Sequence, residues 1–79
     1  MSNKQFSERL HKELDEMGVP QRNEERIEIF AKLLKIPRFK AEALLTGSTQ
    51  PDAPLLEIMA EEFEVDSDWL LGKTDERHN

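Results

Sequence analysis

Apolar residues recur at Phe6, Leu10, Leu14 and Met17, three and four positions apart, which predicts a helix with one buried face. Ser2 followed by Gln5 has the spacing of a capping box, and Gly18 with Pro20 supplies a stop. His11 lies beside the stripe as a core-edge residue. A second helix is expected to start at a capping Asn23, with Glu24 and Glu25 at the positive end of its dipole. Its buried face is Ile27, Phe30, Ala31 and Leu34, and Pro37 ends it, because the residue before a proline avoids the helical region. A third, short helix runs from Arg38 to Leu45, with Ala41, Leu44 and Leu45 inward and Arg38, Phe39, Lys40, Glu42 and Ala43 outward. Gly47 closes it.

The stretch TGSTQPDAP is dense in turn formers, Asp52 is placed to cap the next helix, and Pro54 suits its first turn. Leu55, Ile58, Met59 and Phe63 give that helix a buried face, while Glu57, Glu61, Glu62 and Glu64 face water. Asp66 caps a last helix, SDWLLG. Residues 73–79 read as a polar, frayed tail, which puts the domain at residues 1–72. No alternating strand pattern occurs, so the fold class is all-α: a compact domain of five helices joined by short connections. Phe30, Ala31, Leu34, Ala41, Leu44, Leu55, Ile58, Phe63 and Trp69 are expected to form its core.

Charge changes the picture. The net charge is −6, which disfavours a polyanionic partner, but it is unevenly spread. Residues 1–20 hold three basic and four acidic groups, net −1; residues 21–47 hold six and four, net +2; residues 48–79 hold two and nine, net −7. The middle of an acidic chain is therefore where an anion can approach. The chain has no cysteine, a polar N-terminus and only short apolar runs, which point to a soluble cytoplasmic protein with no membrane span.

Two short helices joined by a turn, the second exposing a polar and basic side, have the form of a helix-turn-helix. The stretch FAKLLKIPRFKAEALLTG, followed by LLEIMAEEFEVDSDWLLG, resembles the lambda-repressor-like helix-turn-helix proteins of phages and bacteria. Phe30 and Ala31 stand at the family's Leu-Ala, Leu34 and Ile36 at its Leu and Val, and Leu44 and Leu45 at its Trp-Leu. Gly47, Pro51, Val65, Asp68, Trp69, Leu70, Leu71 and Gly72 match the rest of the pattern. The chain departs from the pattern in three ways. Lys35 replaces the turn glycine, where a left-handed side chain costs about 1 kcal/mol. Pro37 replaces a capping Ser or Thr, and Glu24 and Glu25 put carboxylates where the family approaches phosphate.

The resemblance implies a motif over about residues 27–46, with a recognition helix over about 38–45 that lies in the major groove of double-stranded DNA. Arg38 is then the leading base reader, because a guanidinium matches guanine O6 and N7. Phe39 has two readings, a cover for a thymine methyl or a core residue against Ile36 or Phe30. Glu42 and Ala43 are further base-contact candidates. Arg22, Arg26, Lys32, Lys40, Thr46, Ser48 and Thr49 are candidate phosphate contacts, which fix register without reading sequence.

No HExxH, glycine-rich phosphate loop or GxSxG occurs, so no enzyme, metal or cofactor is expected. The expected function is a transcriptional regulator that occupies an operator as a homodimer. A helix-turn-helix module that binds a protein partner, with weak or no DNA binding, is the alternative, favoured by the acidic helix 53–64 together with Glu24 and Glu25.

Overall fold

A computed structural model describes residues 4–77, so Ser2 of the expected capping box and His78 lie outside the described residues. The described residues form five helices and no strand: α1 (Lys4–Glu16), α2 (Asn23–Leu34), α3 (Arg38–Thr46), α4 (Ala53–Phe63) and α5 (Ser67–Leu71). The radius of gyration is 11.4 Å, close to the roughly 11.6 Å expected of a folded chain this long. Helix α3 packs between α2 and α1, and α5 packs between α1 and α4.

The core is built from the faces that the periodicity marks. Phe6, Leu10 and Leu14 from α1, Ile27, Phe30 and Leu34 from α2, and Ala41, Leu44 and Leu45 from α3 are buried together. Leu55, Met59 and Phe63 from α4 join them, with Val65, Trp69 and Leu70. Each large side chain removed from water contributes about 1.5–3 kcal/mol before chain entropy is counted. Two expected core positions are exposed instead. Met17 follows the last residue of α1 and so falls out of its helical period. Ile58 lies on the flank of α4 opposite Leu56 and Ala60, away from the line of Leu55, Met59 and Phe63.

All five helices end the same way. Gly18, Lys35, Gly47, Glu64 and Gly72 have φ of 81°, 58°, 80°, 56° and 85°. In each case the next amide reaches back five residues: Val19 to Leu14, Ile36 to Ala31, Ser48 to Ala43, Val65 to Ala60 and Lys73 to Asp68. These are Schellman closures, which satisfy last-turn carbonyls and reverse the chain within a few residues. Lys35 and Glu64 do this with a side chain in the left-handed region, as anticipated for Lys35. Helix starts differ. Asp52 caps α4 by accepting from the Leu55 amide at 3.0 Å, and Asp66 caps α5 through the Asp68 amide at 2.7 Å. At α2 the cap position is Arg22, not Asn23, which is already helical; neither Arg22 nor Pro37 at the start of α3 gives a side-chain cap.

Residues 73–77 are not a frayed tail. The Asp66 amide donates to the Arg77 carbonyl at 2.8 Å, and Arg9 Nη1 donates to the carbonyls of Thr74 (2.8 Å) and Trp69. Arg77 Nε lies 2.8 Å from Glu13 Oε2, and its Nη2 bonds Glu13 Oε1 at 2.9 Å and Glu16. Those bonds hold the Arg77 guanidinium further above its ordinary pKa. Arg9 and Arg77 also lie 4.8 and 5.6 Å from the Trp69 ring centroid. The polar composition hides this anchor, whose partner Glu13 is buried between Leu10 and Leu14.

Two stability predictions follow from these contacts. Arg77→Ala leaves a buried carboxylate without its cation and should cost about 2–3 kcal/mol in chemical denaturation. The double variant Glu13→Leu, Arg77→Met should recover most of that loss; a single variant as stable as the parent sinks the anchor. Lys35→Gly should raise stability by about 0.5–1 kcal/mol, because it relieves the left-handed strain; an unchanged or lower midpoint counts against strain at that position.

Candidate functional site

The middle of the chain is organised around one buried cation. Arg26 is only 3% exposed, which removes it from the candidate phosphate contacts. Its burial has a physical reason: every N–H of the guanidinium has an acceptor inside the fold. Nε donates to the Pro20 carbonyl (3.0 Å), and Nη1 to His11 Nδ1 (2.9 Å) and the His11 carbonyl (3.4 Å). Nη2 donates to Asp15 Oδ1 (2.6 Å) and the Val19 carbonyl (2.8 Å). The bond to Arg26 lowers the Asp15 pKa below its ordinary 3.8.

An arginine can only donate, so His11 Nδ1 accepts and its Nε2–H donates to the Leu45 carbonyl at 3.0 Å. Ser7 Oγ donates to the same carbonyl at 2.7 Å. That oxygen lies in the last turn of α3 and has no partner within the helix. Two side chains four residues apart on α1 therefore fix the end of α3, and a chain of bonds runs from the α1–α2 loop through Arg26 and His11 to α3. Ser7, His11 and Asp15 were the missed contributors. Their i, i+4, i+8 spacing beside the apolar stripe was the available signal.

The other end of α3 is set by the connection from α2. The Ile36 amide donates to the Ala31 carbonyl at 3.0 Å, and the Pro37 carbonyl accepts from the amides of Lys40 (3.1 Å) and Ala41 (3.0 Å). With Ala41, Leu44 and Leu45 buried, the outer side of α3 is Phe39, Glu42, Ala43 and Thr46, at helical spacing. Phe39 is 76% exposed, which decides against its core reading. Glu42 and Thr46 are exposed, and Ala43 is half-buried.

Arg38 is half-exposed and donates through Nη2 to Glu24 in the first turn of α2. Arg22, at the cap position of α2, is exposed and lies 3.5 Å from Glu25 in the first turn of that helix. Lys32 is exposed and Lys40 half-buried, and neither has an ion pair among the described residues. Ser48 and Thr49 are exposed in the following loop, and Thr46 Oγ1 lies 2.9 Å from Ser48 Oγ. No group of three or more His, Cys, Asp or Glu among the described residues is arranged to hold a metal ion. Among the described residues, no helix is long and apolar enough to cross a membrane.

Comparison with protein-family models, with curated proteins and with solved structures finds no match to this chain.

Acid sensitivity tests the Arg26 network. Because the Asp15 pKa is lowered on folding, its contribution is present above the ordinary 3.8 and is lost as pH falls through the lower native value. Asp15→Asn should thus melt below the parent at neutral pH, and the two melting temperatures should converge on acidification. A gap that stays constant with pH means that the Asp15 charge adds nothing.

Proposed function

We propose that the chain is a sequence-specific DNA-binding regulator of helix-turn-helix type, with α2 lying across the DNA backbone and α3 in the major groove. The observation that carries this reading is the α2–α3 pair. Two short helices meet through a three-residue connection with a left-handed Lys35. The second helix starts at a hydrogen-bonded connection from α2, is tied to α1 at its end, and shows an outer face of Phe39, Glu42, Ala43 and Thr46 beside Arg38. The resemblance of residues 30–47 and 65–72 to lambda-repressor-like proteins agrees with it.

On this reading Arg38 reads a base edge, Phe39 covers a thymine methyl, and Glu42 and Ala43 lie along the same groove. Arg22, Lys32, Lys40, Thr46, Ser48 and Thr49 remain as phosphate contacts. Arg26 instead holds the α1–α2 loop against α1, and through His11 reaches the end of α3. The longest dimension of the fold, 30 Å, is close to the spacing of about 34 Å between successive major grooves on one side of DNA. A homodimer on a two-fold-symmetric operator, with one α3 per half-site, is the assembly this reading calls for. A regulator of this phage and bacterial type acts in the cytoplasm, and the reading includes that location.

A protein-binding module is the second reading, favoured by the 76% exposure of Phe39 and by the acidic outer side of α4. Titration of a labelled random-sequence duplex at two salt concentrations separates the two. DNA binding requires an affinity that falls steeply with salt; absence of salt-dependent binding removes the first reading. On the best duplex selected from a random pool, Arg38→Ala should lose about 1–3 kcal/mol and relax preference at one base pair. Lys32→Ala should weaken all duplexes alike and lower the salt slope by about 0.9. Equal loss on every sequence for Arg38→Ala excludes base reading by that residue.

A further inference from the structure

Glu24 is a carboxylate at the edge of a surface meant for a polyanion, and its position relative to Arg38 gives it a role. It stands in the first turn of α2 and accepts from Arg38 Nη2 at the first residue of α3. The two side chains retain 72% and 50% of their exposure, so the pair adds little to stability. It does alter what Arg38 can do. A guanidinium has five N–H groups, and Glu24 engages only Nη2, leaving the other nitrogens free to donate.

A lone arginine at an exposed helix start is also drawn to phosphates, spaced about every 1.7 Å along the duplex axis, by an attraction that carries no sequence information. With Glu24 beside it, the net charge of the pair is zero and the pull toward phosphate is offset. The directional N–H groups remain, and directional donors distinguish guanine from other bases. Arg22 and Glu25 cannot act in this way. Arg22 is the cap position of α2 and Glu25 lies in its first turn, 3.5 Å away, so the pair links α2 to no other helix.

We propose that Glu24 is the positioning residue that makes Arg38 a reader of guanine rather than a phosphate contact, and so sets the sequence preference of this surface. The proposal rests on the DNA-binding reading above.

The test uses the full chain and the duplex it selects best from a random pool. Affinities for that duplex, for its single-base variants and for a random-sequence duplex are measured across a salt series. The proteins are the parent, Glu24→Gln, Arg38→Ala and the double variant. Glu24→Gln should keep the parent melting temperature and bind the random duplex severalfold more tightly. Its salt slope should steepen by about 0.9, as one cation is released to phosphate. Its discrimination at one guanine should fall by about fivefold or more. In the Arg38→Ala background the same substitution should leave discrimination unchanged.

Tighter binding of all duplexes by one factor, with preference intact, makes Glu24 a simple repulsive charge and overturns the proposal while leaving the DNA reading in place. The same loss of preference without Arg38 also overturns it. A parent chain that binds no duplex removes the DNA reading itself, and this is seen before any variant is compared.

Discussion

The buried guanidinium of Arg26 is the constraint on which the central arrangement rests. A cation out of water is costly unless each of its donors is satisfied. Here the five N–H groups are satisfied by four residues that lie earlier in the chain, His11, Asp15, Val19 and Pro20. The loop between α1 and α2 must therefore fold around the side chain. One requirement thus fixes where α2 starts, how the loop turns and which tautomer His11 adopts. Through the bond of His11 to the Leu45 carbonyl it also fixes the end of α3. Hydrophobic packing sets the distance between these helices, but it leaves rotation and sliding soft; directional bonds remove that freedom.

Legibility in the sequence follows from how local each cause is. Helix faces repeat every three or four residues, so α1 to α5 could be read from Leu10, Phe30, Leu44, Met59 and Trp69 and their neighbours. Stops at Gly47 and Gly72 and caps at Asp52 and Asp66 are equally local. The same rule explains the misses. Arg26 looks like any exposed base between two glutamates and Ile27, because its acceptors are mostly backbone carbonyls with no side-chain signature. Glu13 and Arg77 are 64 residues apart, and a charged residue on a buried face is assigned to the surface unless its distant partner is known. Ile58 failed for a related reason: periodicity gives a stripe about two residues wide, and which edge a neighbour covers is a tertiary fact. Phe39 was undecided in the sequence because an aromatic at a helix start suits either side.

For the candidate site, the placement of the outward residues on α3 was legible, since it depends only on which residues of that helix are inward. The electrostatics were not. Counting charges over residues 21–47 gives an excess of cations, yet Arg22, Arg26 and Arg38 each have a carboxylate partner. What is left for a distant anion is the lysines, Lys32, Lys35 and Lys40, none ion-paired among the described residues. Lysine is a strongly hydrated point charge on a flexible stem, suited to phosphate, whereas the arginines are held in defined directions. If α3 reads DNA as proposed, which cations position and which read is set by which of them the fold has paired.

Helix starts show the same division. Helices α4 and α5, which serve the fold, begin with aspartate side chains that take up their first amides. Helices α2 and α3 begin at Arg22 and Pro37, without such a bond. A missing cap costs about 1 kcal/mol, a substantial fraction for a domain whose total stability is a few times larger. Neither start is rescued from within its own helix: Pro37 fixes the backbone at φ −64° and ψ 151°, and Arg22 is turned toward Glu25. The first amides of α3 have no side-chain cap and lie beside Arg38 at the positive end of the helix dipole. An aspartate at residue 37 would cap α3 and add a charge that repels phosphate there. Proline gives the helix its starting angle with neither effect. On the proposed DNA-binding reading, an uncapped first turn of α3 keeps its donors for phosphate, at a stability cost that the Arg26 network and the Arg77 anchor offset elsewhere in the fold.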